Sequence, residues 1–463
     1  MDTYLKRSLA VVASAALLLP VVGPSSVFAA RTSQHVHAGA SLIWFMRTDP
    51  NETPWEKSEV AAFAKVHPEI HINLITAPNP NGQFDLKFNQ LIQSGTPADI
   101  WSHLGQAGFA DYFHRGLLLN LTPYLKSTHY SFGATPTNLV NTYAKPAGLY
   151  AIPSITLGSY LYYNKDIFDA YNKLHPTAKI PYPGVNWDDK SWTQAKVIDI
   201  AKKLTGLTIS TASGTTTSYG FNDGQWPRMF AAFQAGSDMF KASDYISGNP
   251  ATIDTSNPKI VAAFTQLASY YTTLKLSPPY SKVKQIGNTG GDPFQSGNVA
   301  MYTTGGWGFR NYLTAKFHWG AAPMPWQATN KDVLFTDPYM VSKTTKSPEA
   351  ALTFISFLTN SDSMTSYIQH VGFTPSNTAY LGAWYKQYSK ITGMSAADLT
   401  TLVVGARKYG QESPNHLIDN FSQIDNAMVP FIDKMYYGQG TAATVLPQMQ
   451  SAINAILAQN AGH

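Results

Sequence analysis

An apolar strand-like run, Ser41–Met46, is followed by a segment opening at Pro54 that carries Val60, Phe63 and Ala64 on one helical face and stops at His67-Pro68. Ile70, Ile72 and Leu74 then alternate with His71 and Asn73, the period of a strand. Strand, helix and strand within about 35 residues form a βαβ unit, which commits the chain to parallel pairing with a right-handed crossover. The predicted class is therefore α/β, with mostly parallel sheets flanked by helices. Pro78–Gly82 reads as a loop, Phe84–Gln93 as a second amphipathic helix and Ala98–Trp101 as a third strand. Further along, Ser191 with Gln194 reads as a capping box before a helix over Ala195–Leu204. Ser347-Pro348 supplies an N-cap and a first-turn proline for Ala350–Leu358. Gly206–Gly220 reads as a Ser/Thr/Gly-rich surface loop, and Thr441–Gln459 as a terminal amphipathic helix.

At 463 residues the chain has length for two or three domains. Charged residues are only 13%, while 23 Phe, 26 Tyr and 10 Trp argue for buried cores rather than disorder. With no cysteine there is no disulfide framework, thiolate metal site or cysteine nucleophile. The +5 formal charge comes without a run of Lys/Arg, so nucleic acid is not an expected partner. Only six of the 28 acidic residues are glutamate: Glu52, Glu56, Glu59, Glu69, Glu349 and Glu412. A chain poor in carboxylates loses less stability when they protonate, which suggests an acidic habitat. At the N-terminus, Lys6-Arg7, the apolar run Leu9–Val22 and small residues at Val27 and Ala29 form a secretory signal, 1–29, cleaved near Ala29 and followed by a linker, 30–38. The protein is expected to be exported, to the periplasm or the cell surface.

Catalytic chemistry finds little footing. Thr304-Gly305-Gly306-Trp307-Gly308 lacks the lysine and spacing of a phosphate loop, no HExxH occurs, and Gly158-Ser159-Tyr160 falls short of a nucleophile elbow. The scattered histidines read as satisfied side chains, Asp188-Asp189 as a solvated turn, and the tyrosine pairs at 162/163, 270/271 and 436/437 as packing. No cofactor, metal site or catalytic residue is predicted. Trp44, Trp101, Trp226, Trp307 and Trp384, at expected ends of strands and helices, are candidate platforms for the C–H faces of sugars.

An ordered set of segments resembles the extracellular solute-binding proteins of carbohydrate importers, family 1, the group that includes maltose-binding protein. Ala62-Phe63 with His67-Pro68-Glu69-Ile70 resembles its helix-to-strand passage, and Ser94-Gly95-Thr96-Pro97-Ala98-Asp99-Ile100 its Ser-Gly-Thr-x-Pro-Asp-Val segment. Gly148–Pro153 with Tyr163-Asn164-Lys165-Asp166-Ile167-Phe168 matches a Gly-x-x-Tyr-x-x-Pro…Tyr-Asn-Lys-Asp-x-Phe signature. Phe294–Met301, Ser347–Leu358 and Gly372-Phe373-Thr374-Pro375 continue the series, which spans about Gly39 to Leu457. The lipid-bearing cysteine common in Gram-positive relatives is absent.

The resemblance implies a two-lobe, type II periplasmic-binding-protein-like fold: lobe one from 39–152 and 325–372, lobe two from 153–324 and 373–463, with a hinge between them. It implies a non-catalytic, monomeric receptor that delivers a carbohydrate to the permease subunits of an ABC transporter. Its implied ligand contacts are Arg47, Thr48 and Asp49 after the first strand, Asp85, and His103 and Gln106 after Asp99. Thr156, Trp226, Gly306, Trp307, Asp337 and Tyr339 complete the set, with Trp307 the main stacking ring and Thr156 where relatives carry an acid. Two alternatives stay open: a secreted carbohydrate hydrolase or lyase, and a receptor of the same fold for iron, phosphate or a polyamine.

Overall fold

The computed structural model describes residues 39–78, 82–102, 107–226 and 228–460. The expected leader and linker, 1–38, and the candidate contacts His103 and Gln106 lie outside the described residues. The βαβ unit forms as strand β1 (Ala40–Arg47), helix α1 (Glu52–Val66) and strand β2 (Ile70–Ala77). β1 and β2 pair in parallel along their whole length, Ala40 opposite Ile70 and Arg47 opposite Ala77. Successive side chains leave a strand on opposite faces, so Trp44 meets Trp55 and Phe354 edge-on at 6.4 and 5.0 Å while Phe45 packs on Phe84 at 4.6 Å.

α1 starts before Pro54, where Asp49 accepts the backbone N–H groups of Asn51 and Glu52 at 2.8 and 3.1 Å. Its inward face differs from the predicted stripe. Trp55 and Phe63 are buried, Val60 only half so, and Ala64 is exposed. Trp55 and Phe63 lie eight residues apart, a little over two turns, and burying these two large rings removes the most apolar area from water. That choice turns Glu52, Glu56 and Glu59 inward as well.

A short strand, Ile100–Trp101, flanks β1 in parallel and pairs antiparallel with the end of the long strand Asp332–Val341. That strand also pairs antiparallel with Ala151–Leu157 and in parallel with Gly410–Glu412. A second sheet has the order Asn222–Asp223, Met301–Gly305, Ser159–Asn164, Trp319–Ala322. In it Tyr160 and Tyr162 face one apolar cluster while Leu161 and Tyr163 face another. The 162/163 tyrosines are thus core packing on two faces, as predicted. Two connections carry the chain between the sheets, Ala151–Leu157 into Ser159–Asn164 and Trp319–Ala322 into Asp332–Val341, and segment 371–376 runs beside the first. That segment is bound to the first connection by Thr156, whose N–H donates to the Thr374 carbonyl at 2.9 Å and whose hydroxyl meets that of Ser376 at 2.8 Å.

Some local expectations give way. The helix Gln194–Leu204 is capped by Thr193, whose hydroxyl accepts from Lys196 N–H, not by Ser191. Ser347 stands at the N-cap of Pro348–Leu358 without a side-chain cap bond, so the proline alone sets that start. Gly206–Gly220 contains a β-hairpin, Thr208–Thr211 with Gly214–Thr217, because β-branched threonines favour extended backbone. Among the described residues no helix is long and apolar enough to cross a membrane.

The hairpin returns through Gly220, where a Cβ would lie 1.9 Å from the Ala201 carbonyl oxygen in the helix beneath. Gly220→Ala should destabilise the protein by roughly 1–3 kcal/mol. Urea denaturation would read this as a lower midpoint at constant slope, and an unchanged midpoint would refute it.

Candidate functional site

The floor of the site is the antiparallel pair Ala151–Leu157 and Asp332–Val341, whose register shifts at Asp337/Pro338. A bulge of this kind re-aims side chains. Asp337 and Tyr339 leave the long strand near the end of β1 and the first turns of α1. Arg47, the last residue of β1, forks onto Glu52, with Nε donating to Oε2 at 2.7 Å and an Nη to Oε1. Arg310, in the one-turn helix Gly308–Asn311, donates to the same Glu52 Oε1 at 2.8 Å and pairs with Asp49. Its guanidinium lies 4.9 Å from the Phe373 ring centre. Glu52 is therefore compensated by two guanidiniums. One turn further on, Glu56 is fully buried and, among the described residues, neither of its oxygens has a hydrogen-bond partner.

The electrostatics follow from this placement. Burial would raise Asp49, but Arg310 and the Asn51 and Glu52 N–H donors outweigh it and hold the carboxyl below its usual range. Burial, reinforced by Glu52, pushes Glu56 up to about 8. Asp337 is pushed to about 8 by burial, with Glu412 and Glu52 adding to it against the pull of Arg47. Burial also takes Glu412 to about 8 and lowers His416, which it contacts, to about 3.

An aromatic wall stands beside these groups. Trp226 stacks on Phe335 at 6.2 Å with planes 17° apart, and Trp307 meets the same ring at 5.0 Å, tilted 64°. Trp226 Nε1 donates to Asp425 at 3.2 Å, and both tryptophans remain half-buried. Trp44, Trp101 and Trp384 are at most 1% exposed and belong to the cores. The five tryptophans thus divide into three packed rings and two that keep a free edge.

Of the residues singled out by resemblance, Arg47, Asp49, Asp337 and Tyr339 gather around Glu52, and Trp226 and Trp307 around Phe335. Thr48 is exposed, its hydroxyl 2.9 Å from that of Thr76. Gly306 donates its N–H to the Gly158 carbonyl at 2.6 Å, where the chain passes close to the crossing strand. Asp85 lies apart from this group, against the buried Tyr112 on the other face of the sheet. Thr156 is buried, its hydroxyl facing Ser376. Asp99 accepts the Ile43 N–H at 2.8 Å. Sequence reasoning missed Glu52, Glu56, Arg310, Phe335 and Glu412. A usable signal was present: three of six glutamates fall within Glu52–Glu59 at helical spacing. Among the described residues no group of three or more His, Asp or Glu is placed to hold a metal ion. A wider groove of about 380 Å3 lies under the Thr208–Thr217 hairpin, away from these residues.

Carboxyls raised in the fold bind protons that the unfolded chain releases above about pH 4. Their contribution is complete below that pH and lost as pH climbs through about 8, the value shared by Glu56, Asp337 and Glu412. The melting temperature should therefore be several degrees higher at pH 5 than at pH 8. A calorimetric scan showing the reverse slope would contradict these assignments.

The family described as bacterial extracellular solute-binding protein matches residues 59–393. A putative binding protein of Brucella abortus is 22% identical over 418 residues, covering 87% of this chain and 90% of that one. An ABC substrate-binding protein of Listeria monocytogenes, solved in complex with cycloalternan, superposes with a TM-score of 0.72 at 20% identity, covering 90% of this chain and 99% of that one. A maltose-bound protein of T. maritima gives 0.66 at 16% identity, with coverage of 90% and 99%. The GacH receptor of Streptomyces glaucescens, solved unliganded and with acarbose, gives 0.65 at 16%, with coverage of 90% and 98%. These likenesses run through both sheets and the strands that join them, and the fold is that of the two-lobe periplasmic-binding type. The chain belongs to the bacterial extracellular solute-binding proteins.

Proposed function

We propose that this protein captures a sugar or oligosaccharide between two lobes outside the cytoplasm and hands it, unchanged, to the permease of an ABC transporter. The observation that carries this reading is the pair of half-exposed tryptophans, Trp226 and Trp307, flanking Phe335 beside a cluster of charged and hydroxyl groups. Flat rings stack on the apolar faces of sugars while polar side chains bind the hydroxyls. Solved relatives carry cycloalternan and maltose, which is consistent with it.

In this reading the lobes are 39–152 with 325–372, and 153–324 with 373–463. A leader is removed near Ala29, and the receptor acts as a monomer. Trp307 and Trp226 stack, Gly306 leaves room for the approach, and Arg47, Asp49, Asp337 and Tyr339 bind hydroxyls. Thr48, His103 and Gln106 also contact the ligand. Thr156 acts through the strand it braces. Ligand entry parts the lobes and breaks the Arg310 contacts to Asp49 and Glu52, and the ligand favours closure by binding the closed state better. A glycoside hydrolase needs one ionised and one protonated carboxyl. Here Glu52 and Asp49 are engaged by Arg47 and Arg310, while Glu56 and Asp337 are buried and hold their protons at neutral pH, which supports binding without chemistry.

The test is thermal shift against malto-, xylo-, cello-, galacto- and manno-oligosaccharides, with recovery of intact ligand after long incubation. A ligand at 100 times its Kd adds about 2.7 kcal/mol, an easily read upward shift. Flat curves in folded protein across the panel, or cleaved ligand, would overturn the reading. Trp307→Ala should weaken binding of the responding sugar by about 2 kcal/mol, roughly thirtyfold, with the fold intact. Undiminished affinity would place the main stacking ring elsewhere.

A further inference from the structure

Among the described residues five carboxyls, Asp49, Glu52, Glu56, Asp337 and Glu412, stand near two guanidiniums, Arg47 and Arg310. Both guanidiniums are engaged by Glu52, and Arg310 by Asp49 as well. Glu56 is the member left over: fully buried, with both oxygens unpartnered. Buried polar groups without partners are costly and few in native proteins. Glu56 does not face closed packing. With Asp337, Ser102, Ser154 and Tyr339 it lines a cavity of about 20 Å3, room for one group the size of a water molecule.

We propose that this cavity receives a protonated amine, so that the solute is an amino sugar whose ammonium group inserts beside Glu56. The proposal rests on the sugar-binding reading above and narrows its ligand class. An ammonium has three donors and no acceptor, which suits the carboxyls and hydroxyls that share this cavity with Met46, Trp55 and Ile155. It is water-sized, so the sugar ring stays in the cleft and only the amine enters. It also supplies the positive charge that the surplus carboxyl lacks.

The titratable and charged groups facing Glu56 are Glu52 on its own helix, Asp49 before it, Arg47 at the end of β1, Asp337 and Tyr339 on the long strand, and Tyr367. Only Arg47 among them is cationic. Without ligand Glu56 holds its proton to about pH 8. An ammonium takes that proton's place, so uptake at pH 6 releases about one proton per ligand into the buffer.

The experiment is titration calorimetry on the exported chain at pH 6 in two buffers of different ionisation enthalpy. The probes are glucosamine, galactosamine, mannosamine and the β-1,4-linked glucosamine disaccharide, each beside its hydroxyl counterpart: glucose, galactose, mannose and cellobiose. A charge-assisted hydrogen bond predicts that at least one amine binds tenfold or more tighter than its counterpart. Proton release should accompany it, and the preference should collapse in Glu56→Gln, which keeps the side chain's shape. Hydroxyl sugars binding as tightly as amines overturn the inference and leave the sugar-receptor reading standing, with water in the cavity. Failure of both series, together with flat curves on the oligosaccharide panel, overturns both. If the variant does not fold, the affinity ratio and proton release of the unaltered protein decide alone.

Discussion

The antiparallel pairing of Ala151–Leu157 with Asp332–Val341 is the constraint on which the site depends, because one strand supplies Phe335 to the aromatic wall and Asp337 and Tyr339 to the polar floor. Its register leaves no freedom: slipping by one residue would exchange every side chain between faces. Several side-chain bonds pin it from outside the ladder. Tyr143 donates its hydroxyl to the Thr336 carbonyl, Glu412 accepts the Thr336 N–H at 2.8 Å, and Asp332 accepts the Ser159 N–H at 2.8 Å. Pro338 has no N–H to give, so the ladder shifts there instead of running through.

Charge is scarce in this chain and is concentrated where it costs most. Glu52, Glu56 and Glu59 are buried along one side of α1, and the fold answers each differently. Glu52 receives Arg47 and Arg310, and Glu59 accepts the Ser363 hydroxyl at 2.6 Å. Glu56 receives neither and holds its proton instead. Removing a single partner from such a group exposes the full desolvation penalty. Arg310 therefore joins segments more than 250 residues apart. The poverty in carboxylates, read as a sign of acid habitat, acquires a second meaning, since several that remain are most stable protonated.

Much of the fold was legible from local pattern. The βαβ unit and the core packing of Tyr162 and Tyr163 followed from periodicity and side-chain chemistry. The ordered family motifs pointed to the two-lobe architecture. The Gly206–Gly220 hairpin was missed because its glycines and serines read as loop while its threonines carried the strand signal. The α1 face was mis-set because the pattern was read from Val60 and Ala64 without Trp55. Helical periodicity allows neighbouring stripes, and only contact with Trp44 and Phe354 chooses between them.

The sequence by itself determined the fold class, the family and the segments that come near the cleft, since these depend on period, turn chemistry and ordered motifs within short windows. Only the tertiary structure decided which of those residues meet. It packed Trp44, Trp101 and Trp384 into cores and left Trp226 and Trp307 an edge. It turned Asp85 toward Tyr112, brought Arg310 to Asp49 and Glu52, and left Glu56 buried without a partner. The physical reason is that burial and pairing of a charge depend on atoms supplied by distant segments, and no local window of residues carries that information.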